Sequence, residues 1–182
     1  LNRVTGDQNP SIIQGTLKSN GTVMVVNPDG ILFGENSVVD VGGLLATTSD
    51  IDDKEFMAGK RTFNKPGKAT ASVVNEGRIT VQDAGIAALV APGVRNDGII
   101  AAKLGKVTLG AANTFTLDFF GDELIALDLA DELEGDVIDV STGKPLADRV
   151  KNGGTISADG GAVALKASTA RKVVNSVINN TG

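Results

Sequence analysis

Three groups of carboxylates stand out as residues that could do chemistry: Asp50, Asp52, Asp53 and Glu55; Asp118, Asp122 and Glu123; and Asp131, Glu132, Glu134 and Asp136. Paired carboxylates can cleave a glycosidic bond by general acid–base catalysis, and clustered ones can hold calcium. All but Asp118 fall in segments expected to be loops or turns, and none has the Asp and Gly spacing of a calcium-binding loop. The chain has no His and no Cys. A His-based triad, a thiol nucleophile and a His- or Cys-ligated zinc site therefore lack their essential residues. The glycine pairs Gly42-Gly43 and Gly160-Gly161 lack the Gly-Lys-Ser/Thr ending of a phosphate loop and suit tight corners instead. The carboxylates are expected to be solvated surface, and no catalytic residue, metal ligand or cofactor is assigned.

The elements that would position any site come next. At 182 residues and 41% hydrophobic, the chain suits one domain. Its 17 Lys and Arg against 22 Asp and Glu give a net charge of −5, and no stretch gathers the bases into a face that could neutralise a phosphate backbone, so nucleic acid is not an expected partner. The lack of cysteine excludes disulfides but does not decide the compartment. No apolar run reaches the roughly 18 residues of a membrane span, and Leu1 to Pro10 lack the features of a signal peptide. The 23 glycines, the many Val, Ile, Ala and Thr, and the absence of Trp and Tyr favour short strands joined by tight turns.

A repeat defines the architecture. The pentad Val/Ile-x-Asn-x-Gly occurs at Val73 to Gly77, Val94 to Gly98, Val150 to Gly154 and Ile178 to Gly182. After each of the first three come an alternating strand, a turn glycine and a second alternating strand: Ile86 to Ala91, Lys106 to Ala111, and Ala162 to Ala167. The step from Asn75 to Asn96 fits one circuit of a parallel β-solenoid, whose rungs must stack about 4.8 Å apart because none can bury its inner residues alone. The expected fold is all-β, a parallel β-helix over 1–182, with Val107, Leu109, Val163 and Leu165 pointing inward. A narrow bore accounts for the preference for Val, Ile, Ala and Leu. Asn75, Asn96, Asn152 and Asn180 can stack as a ladder of side-chain amides, with Gly77, Gly98 and Gly154 free to adopt positive φ. Excursions from the coil are expected near 50–68 and 130–148, the second protruding as a loop or hairpin. Phe115 to Phe119 and Ile125 to Leu129, joined around Gly121-Asp122, are expected to form a further rung.

The amino-terminal third carries the most specific pattern. Asn2-Arg3-Val4-Thr5-Gly6, Pro10 to Gly15, Ser19-Asn20-Gly21, Asn27-Pro28-Asp29-Gly30-Ile31-Leu32-Phe33-Gly34 and Val39 to Thr48 follow one another with characteristic spacing. In order and spacing they resemble the amino-terminal secretion domain of the filamentous haemagglutinin family, the exoproteins of bacterial two-partner secretion (TPS). The resemblance continues through Phe56, Gly59, Phe63 and the asparagine pentads. It implies a right-handed parallel β-helix, secreted or displayed at the cell surface, whose partner is an outer-membrane β-barrel transporter with periplasmic POTRA domains. Host-cell or matrix glycans are conceivable partners of the whole exoprotein.

The family's NPNGI motif stands here as Asn27-Pro28-Asp29-Gly30-Ile31, and the resemblance implies that this segment serves transporter recognition or the start of folding. As a plain turn, it would have Pro28 fixing φ and Gly30 supplying the unusual conformation, with Asp29 replacing the family's Asn. The family's upstream cap and an earlier Asn-containing motif have no counterpart, so the chain is expected to be an internal fragment. A carbohydrate-binding or carbohydrate-cleaving β-helix is the alternative function.

Overall fold

The structure is a computed structural model, and it describes residues 1–6, 8–117, 125–127, 133, 135–168 and 176–182. It is a parallel β-helix with three faces. Face one stacks Asn2–Arg3, Thr22–Val26, Gly43–Thr47, Ile86–Ala91, Lys106–Ala111 and Ala162–Ala167. Face two stacks Ser11–Ile13, Ile31–Phe33, Ser72–Asn75, Gly93–Asn96, Asp148–Asn152 and Ser176–Asn180. Face three stacks Thr16–Lys18, Val38–Val41, Arg78–Val81, Ile99–Ala101 and Thr155–Ser157. The chain visits the faces in that order and returns to face one a rung further along.

Every pairing between rungs is parallel and in register, so inward residues form columns. On face one Val25, Ala46, Leu89, Leu109 and Leu165 lie over one another. Face two has Ile31, Val73, Val94 and Val150, and face three has Leu17, Val39, Ile79, Ile100 and Ile156. The middle members of each column are buried in one continuous core, against which the end members Leu17, Ile156 and Leu165 pack partly buried. Burying each branched side chain contributes about 1.5–3 kcal/mol, which is what holds the rungs together. Val163 departs from the expectation of burial. It is in register with Val107, so its parity is as expected, yet it is 49% exposed. Its strand is the edge of face one, and no further strand stacks on it among the described residues.

Two insertions interrupt the coil; they pack on its outer side, and the second also buries Leu133 in the inner core. The first lies between Thr47 and Ser72. It holds the short helix Asp53–Met57, capped where Asp52 accepts a hydrogen bond from the Lys54 amide at 2.9 Å, and the strand Thr62–Phe63. The second lies between Ala111 and Asp148 and contains Phe115–Leu117 and Ile125–Leu127. These last strands are not the rung expected of them. They pair antiparallel with each other, and Phe115–Leu117 also pairs antiparallel with Thr62–Phe63, while the coil steps directly from Val94 to Val150.

Aromatic size explains the choice. Phe63 and Phe115 stack with ring centroids 4.7 Å apart, and they pack with Met24, Val26, Leu45, Ala88 and Val90 as a second core on the outer side of face one. The inner core takes one ring, Phe33, and is otherwise filled by Val, Ile, Leu and Ala, so the stacked pair packs outside it. Face one is therefore buried on both sides, whereas face three alternates between core and solvent. The turn at Gly121-Asp122 and the carboxylates Asp118, Glu123, Asp131, Glu132 and Glu134 lie outside the described residues.

Candidate functional site

The segment from Asn27 to Ile31 joins face one to face two. The Asn27 amide continues the ladder by donating to the Thr47 carbonyl at 3.1 Å, and its Oδ1 accepts from the Asp29 amide at 2.9 Å, an Asx turn. The Gly30 amide then closes the turn on the Asn27 carbonyl at 3.1 Å. Asn27 Nδ2 reaches back to the preceding rung, donating to the Asn9 carbonyl at 3.0 Å and to Ser11 Oγ at 2.9 Å. The side chain is thus spent on the scaffold, and the residue is 1% exposed. Gly30 has φ +116°, and a Cβ there would stand 2.9 Å from the Ser72 carbonyl oxygen. Ile31 is wholly inside the core. Only Pro28 and Asp29 reach the surface in part. The Asp29 carboxylate forms an ion pair with Lys68, whose amide donates to the Pro28 carbonyl at 3.0 Å.

Residues 135–147 contain a hairpin, with Ile138 bridged antiparallel to Pro145 and the Leu146 amide donating to the Val137 carbonyl at 2.8 Å, and it lies as a strap along the outer side of face two. Val137 and Leu146 press on the bare backbone of Gly93, and Val140 presses on that of Gly30. The Ile138 amide donates to the Thr70 carbonyl at 2.8 Å and the Val140 amide to Ser72 Oγ at 2.9 Å. Arg95 pins the middle: it contacts Asp139 at 2.8 Å and Glu76 at 2.6 Å, pairs with Asp97, and donates to Ser141 Oγ at 2.9 Å. Burial opposes its charge, but the bonds to Glu76, Asp139 and Asp97 outweigh that and push its pKa upward. Between turn and strap lies a cleft of about 310 Å³ lined by Gln8, Asp29, Lys68, Thr70 and Asp139 among others. Sequence reasoning missed this cleft, because its walls come from four separate segments.

The four pentad asparagines share one column on face two. Asn75 Nδ2 donates to Asn96 Oδ1 at 2.7 Å, Asn96 to Asn152 at 2.7 Å, and Asn152 to Asn180 at 2.8 Å, across separations of 21, 56 and 28 residues. Gly77, Gly98 and Gly154 do not adopt the positive φ expected of them. Their requirement is proximity: a Cβ on each would collide with the carbonyl oxygen of the rung below, Gly34, Gly77 and Gly98 in turn.

The carboxylates near the helix have structural partners. Arg3 binds Asp50 at 2.8 Å and Asp53 at 2.6 Å, Lys60 reaches Glu55 at 3.2 Å, and Asp52 is the helix cap. Among the described residues no group of three acidic side chains is placed to hold a metal ion.

A three-faced parallel coil with insertions between its strands and a buried asparagine turn early in the chain defines a parallel β-helix domain. The family model described as TPS secretion domain matches residues 1–182, and the chain belongs to that family: it is the secretion domain of a two-partner-secretion exoprotein. Among solved structures it is similar to the HMW1 secretion domain from Haemophilus influenzae, with a TM-score of 0.73 and 30% identity over 98% of this chain and 42% of that one. Two curated relatives are both described as heme/hemopexin-binding protein. One, from Haemophilus influenzae strain Rd, is 34% identical over 138 residues, covering 71% of this chain and 15% of the relative. The other, from Haemophilus influenzae, is 47% identical over 51 residues, covering 28% of this chain and 5% of the relative. The chain thus spans a small part of the curated relatives it matches.

Proposed function

We propose that this domain directs a secreted or surface-displayed exoprotein to an outer-membrane β-barrel transporter with periplasmic POTRA domains, and that Asn27 to Ile31 serves export by holding the first rungs in shape. The observation that carries this is the burial of Asn27 with its side-chain bonds made to the preceding rung and to its own turn. A side chain so engaged can act on a partner only through the fold it maintains, which leaves Pro28 and Asp29 as the part of the motif a transporter can touch. The asparagine column and its glycines extend the same folding role along the coil.

Heme contact is not proposed for these residues. The ligands that usually hold heme iron are His, Cys, Met and Tyr, and here His, Cys and Tyr are absent, while Met24 is buried and Met57 is exposed on the helix. Nor is glycan binding, since the chain offers no Trp or Tyr platform.

The test is export of the whole exoprotein with its transporter co-expressed. An Asn27→Ala/Gly30→Ala double variant is compared with a Val107 truncation chosen to lose the same stability. Equal loss of export fits action through folding. Export blocked in the turn variant alone would mean direct recognition and would overturn this reading of the motif. Unchanged export in both would show that export does not depend on the turn and would overturn this reading of the motif as well.

A further inference from the structure

The dipeptide Asn-Gly occurs twice in the chain, at Asn20-Gly21 and Asn152-Gly153, and the coil holds the two copies in opposite ways. Asn152 is buried in the amide column: its Oδ1 accepts from Asn96 at 2.7 Å and its Nδ2 donates to Asn180 at 2.8 Å. The Gly153 amide is engaged as well, donating to the Asn96 carbonyl at 2.8 Å. Asn20 lies in the corner that joins Thr16–Lys18 to Thr22–Val26, exposed and outside the column. There the Gly21 amide donates to the hydroxyl of Ser19, at 3.1 Å, instead of to a carbonyl of a neighbouring rung.

A glycine has no Cβ to keep its nitrogen away from the preceding side chain, and its backbone turns freely. Once the Gly21 amide gives up its proton to solvent base, its nitrogen can attack Asn20 Cγ. A C–N bond forms, the bond from Cγ to Nδ2 breaks, and Nδ2 leaves as ammonia after taking a proton from water. Water then opens the succinimide at one of its two carbonyls, giving aspartate or, with the backbone now running through Cγ, isoaspartate. The same attack at Asn152 must first break both of its side-chain bonds and the bond of the Gly153 amide, and it leaves the buried Asn96 without its partner.

We propose that Asn20-Gly21 is a site of spontaneous covalent modification, and that its isoaspartyl product loosens the corner on which Gly42 rests. The Gly42 amide donates to the carbonyls of Ser19 at 3.1 Å and Gly21 at 3.0 Å, and a Cβ on Gly42 would stand 2.7 Å from the Asn20 carbonyl oxygen. Isoaspartate lengthens the chain between the two accepting carbonyls by one atom, so the Gly42 amide can no longer meet both. Aspartate brings the same charge without the extra atom and leaves the corner stacked.

The experiment incubates the folded domain at mildly alkaline pH and follows both positions by peptide mapping with enzymatic methylation of isoaspartate. Asn20 should convert at least tenfold faster than Asn152, and in urea that unfolds the coil the two rates should come within threefold of each other. Gly21→Ala is the matched variant: Gly21 lies outside the positive-φ region and a Cβ there would meet Ser19 Oγ at 3.9 Å, an ordinary contact, so the fold accepts it. The added methyl group should slow conversion of Asn20 at least tenfold. Hydrogen exchange at the Gly42 amide reads the consequence. The isoaspartyl fraction should exchange there at least tenfold faster than the fresh domain, whereas Asn20→Asp and the incubated Gly21→Ala domain should keep native protection. Equal conversion of Asn20 and Asn152 in the folded domain, or no slowing by Gly21→Ala, refutes the site. Isoaspartate at position 20 with Gly42 protection intact refutes the loosening.

Discussion

Replacing Asn96 by Ala removes the central link of the amide column. In the native coil Asn96 Oδ1 accepts from Asn75 at 2.7 Å and its Nδ2 donates to Asn152 at 2.7 Å, with all three residues buried. The variant leaves Asn75 without its acceptor and Asn152 without its donor. Each stranded buried group costs about 1–3 kcal/mol, so the loss should be roughly 2–5 kcal/mol. With a urea dependence of about 2–3 kcal/mol per molar for a chain of this size, the midpoint should fall by about 1–2 M. Asn180→Ala is the control: Asn180 ends the column, is exposed, and takes only the bond from Asn152. It should cost less than about 1.5 kcal/mol, near the net value of one hydrogen bond. Equal midpoints for the two variants, or a shift for Asn96→Ala under about 0.2 M, would show that the amides are turn residues whose alignment adds nothing.

Leu109→Ala should destabilise by about 2–5 kcal/mol because Leu109 is wholly buried in the inner core, and Val163→Ala by well under 1, because Val163 is half in solvent; urea midpoints separate them. Arg149→Met should be neutral or stabilising, by up to about 4 kcal/mol, since it replaces a buried charge with unmet donors by an apolar chain of similar length; thermal melts read the sign. The Asp52 carboxyl is held below its ordinary range, chiefly by the Lys54 amide and then by Lys65. A depressed folded pKa means that its support for the short helix is full above the unfolded value and fades as pH falls through the folded one. Hydrogen exchange at the Lys54 amide should therefore lose protection on acidification, and Asp52→Ala should show that loss already at neutral pH.

The coil was legible because its physics is local and repeated. Alternation set the inward parity of Ile86 to Ala91 and Lys106 to Ala111, and the 21-residue step from Asn75 to Asn96 is one circuit. What the sequence concealed has no period. Phe115–Leu117 alternates like a rung strand, but it pairs with Thr62–Phe63, and the stack of Phe115 on Phe63, 52 positions away, joins the outer core of face one. The strap was hidden for a related reason: its anchors are glycine backbones, which carry no side-chain signal, and Arg95, a single charge inside a pentad. At the turn, the Asn, Pro and Gly types pointed to the local geometry. The back-bonds of Asn27 to Asn9 and Ser11 involve the preceding rung and could not be read from neighbouring residues. The pentad glycines show the opposite error, since a turn-forming residue was credited with unusual φ when close stacking was the cause.

The asparagine column also has a direction. Each Nδ2 donates to the rung that follows, so the last rung in place always presents a polar hydrogen awaiting a partner. A following segment satisfies it only if its own asparagine arrives opposite. A slip of one residue would bring Arg95, Lys151 or Asn179 into the column, where a cation or an outward-facing amide belongs to the wrong side of the sheet. The column thus works as a proofreading device for registry, checked once per circuit and read in one sense along the chain. An elongating coil of this kind can reject a misaligned turn before the next one is laid down.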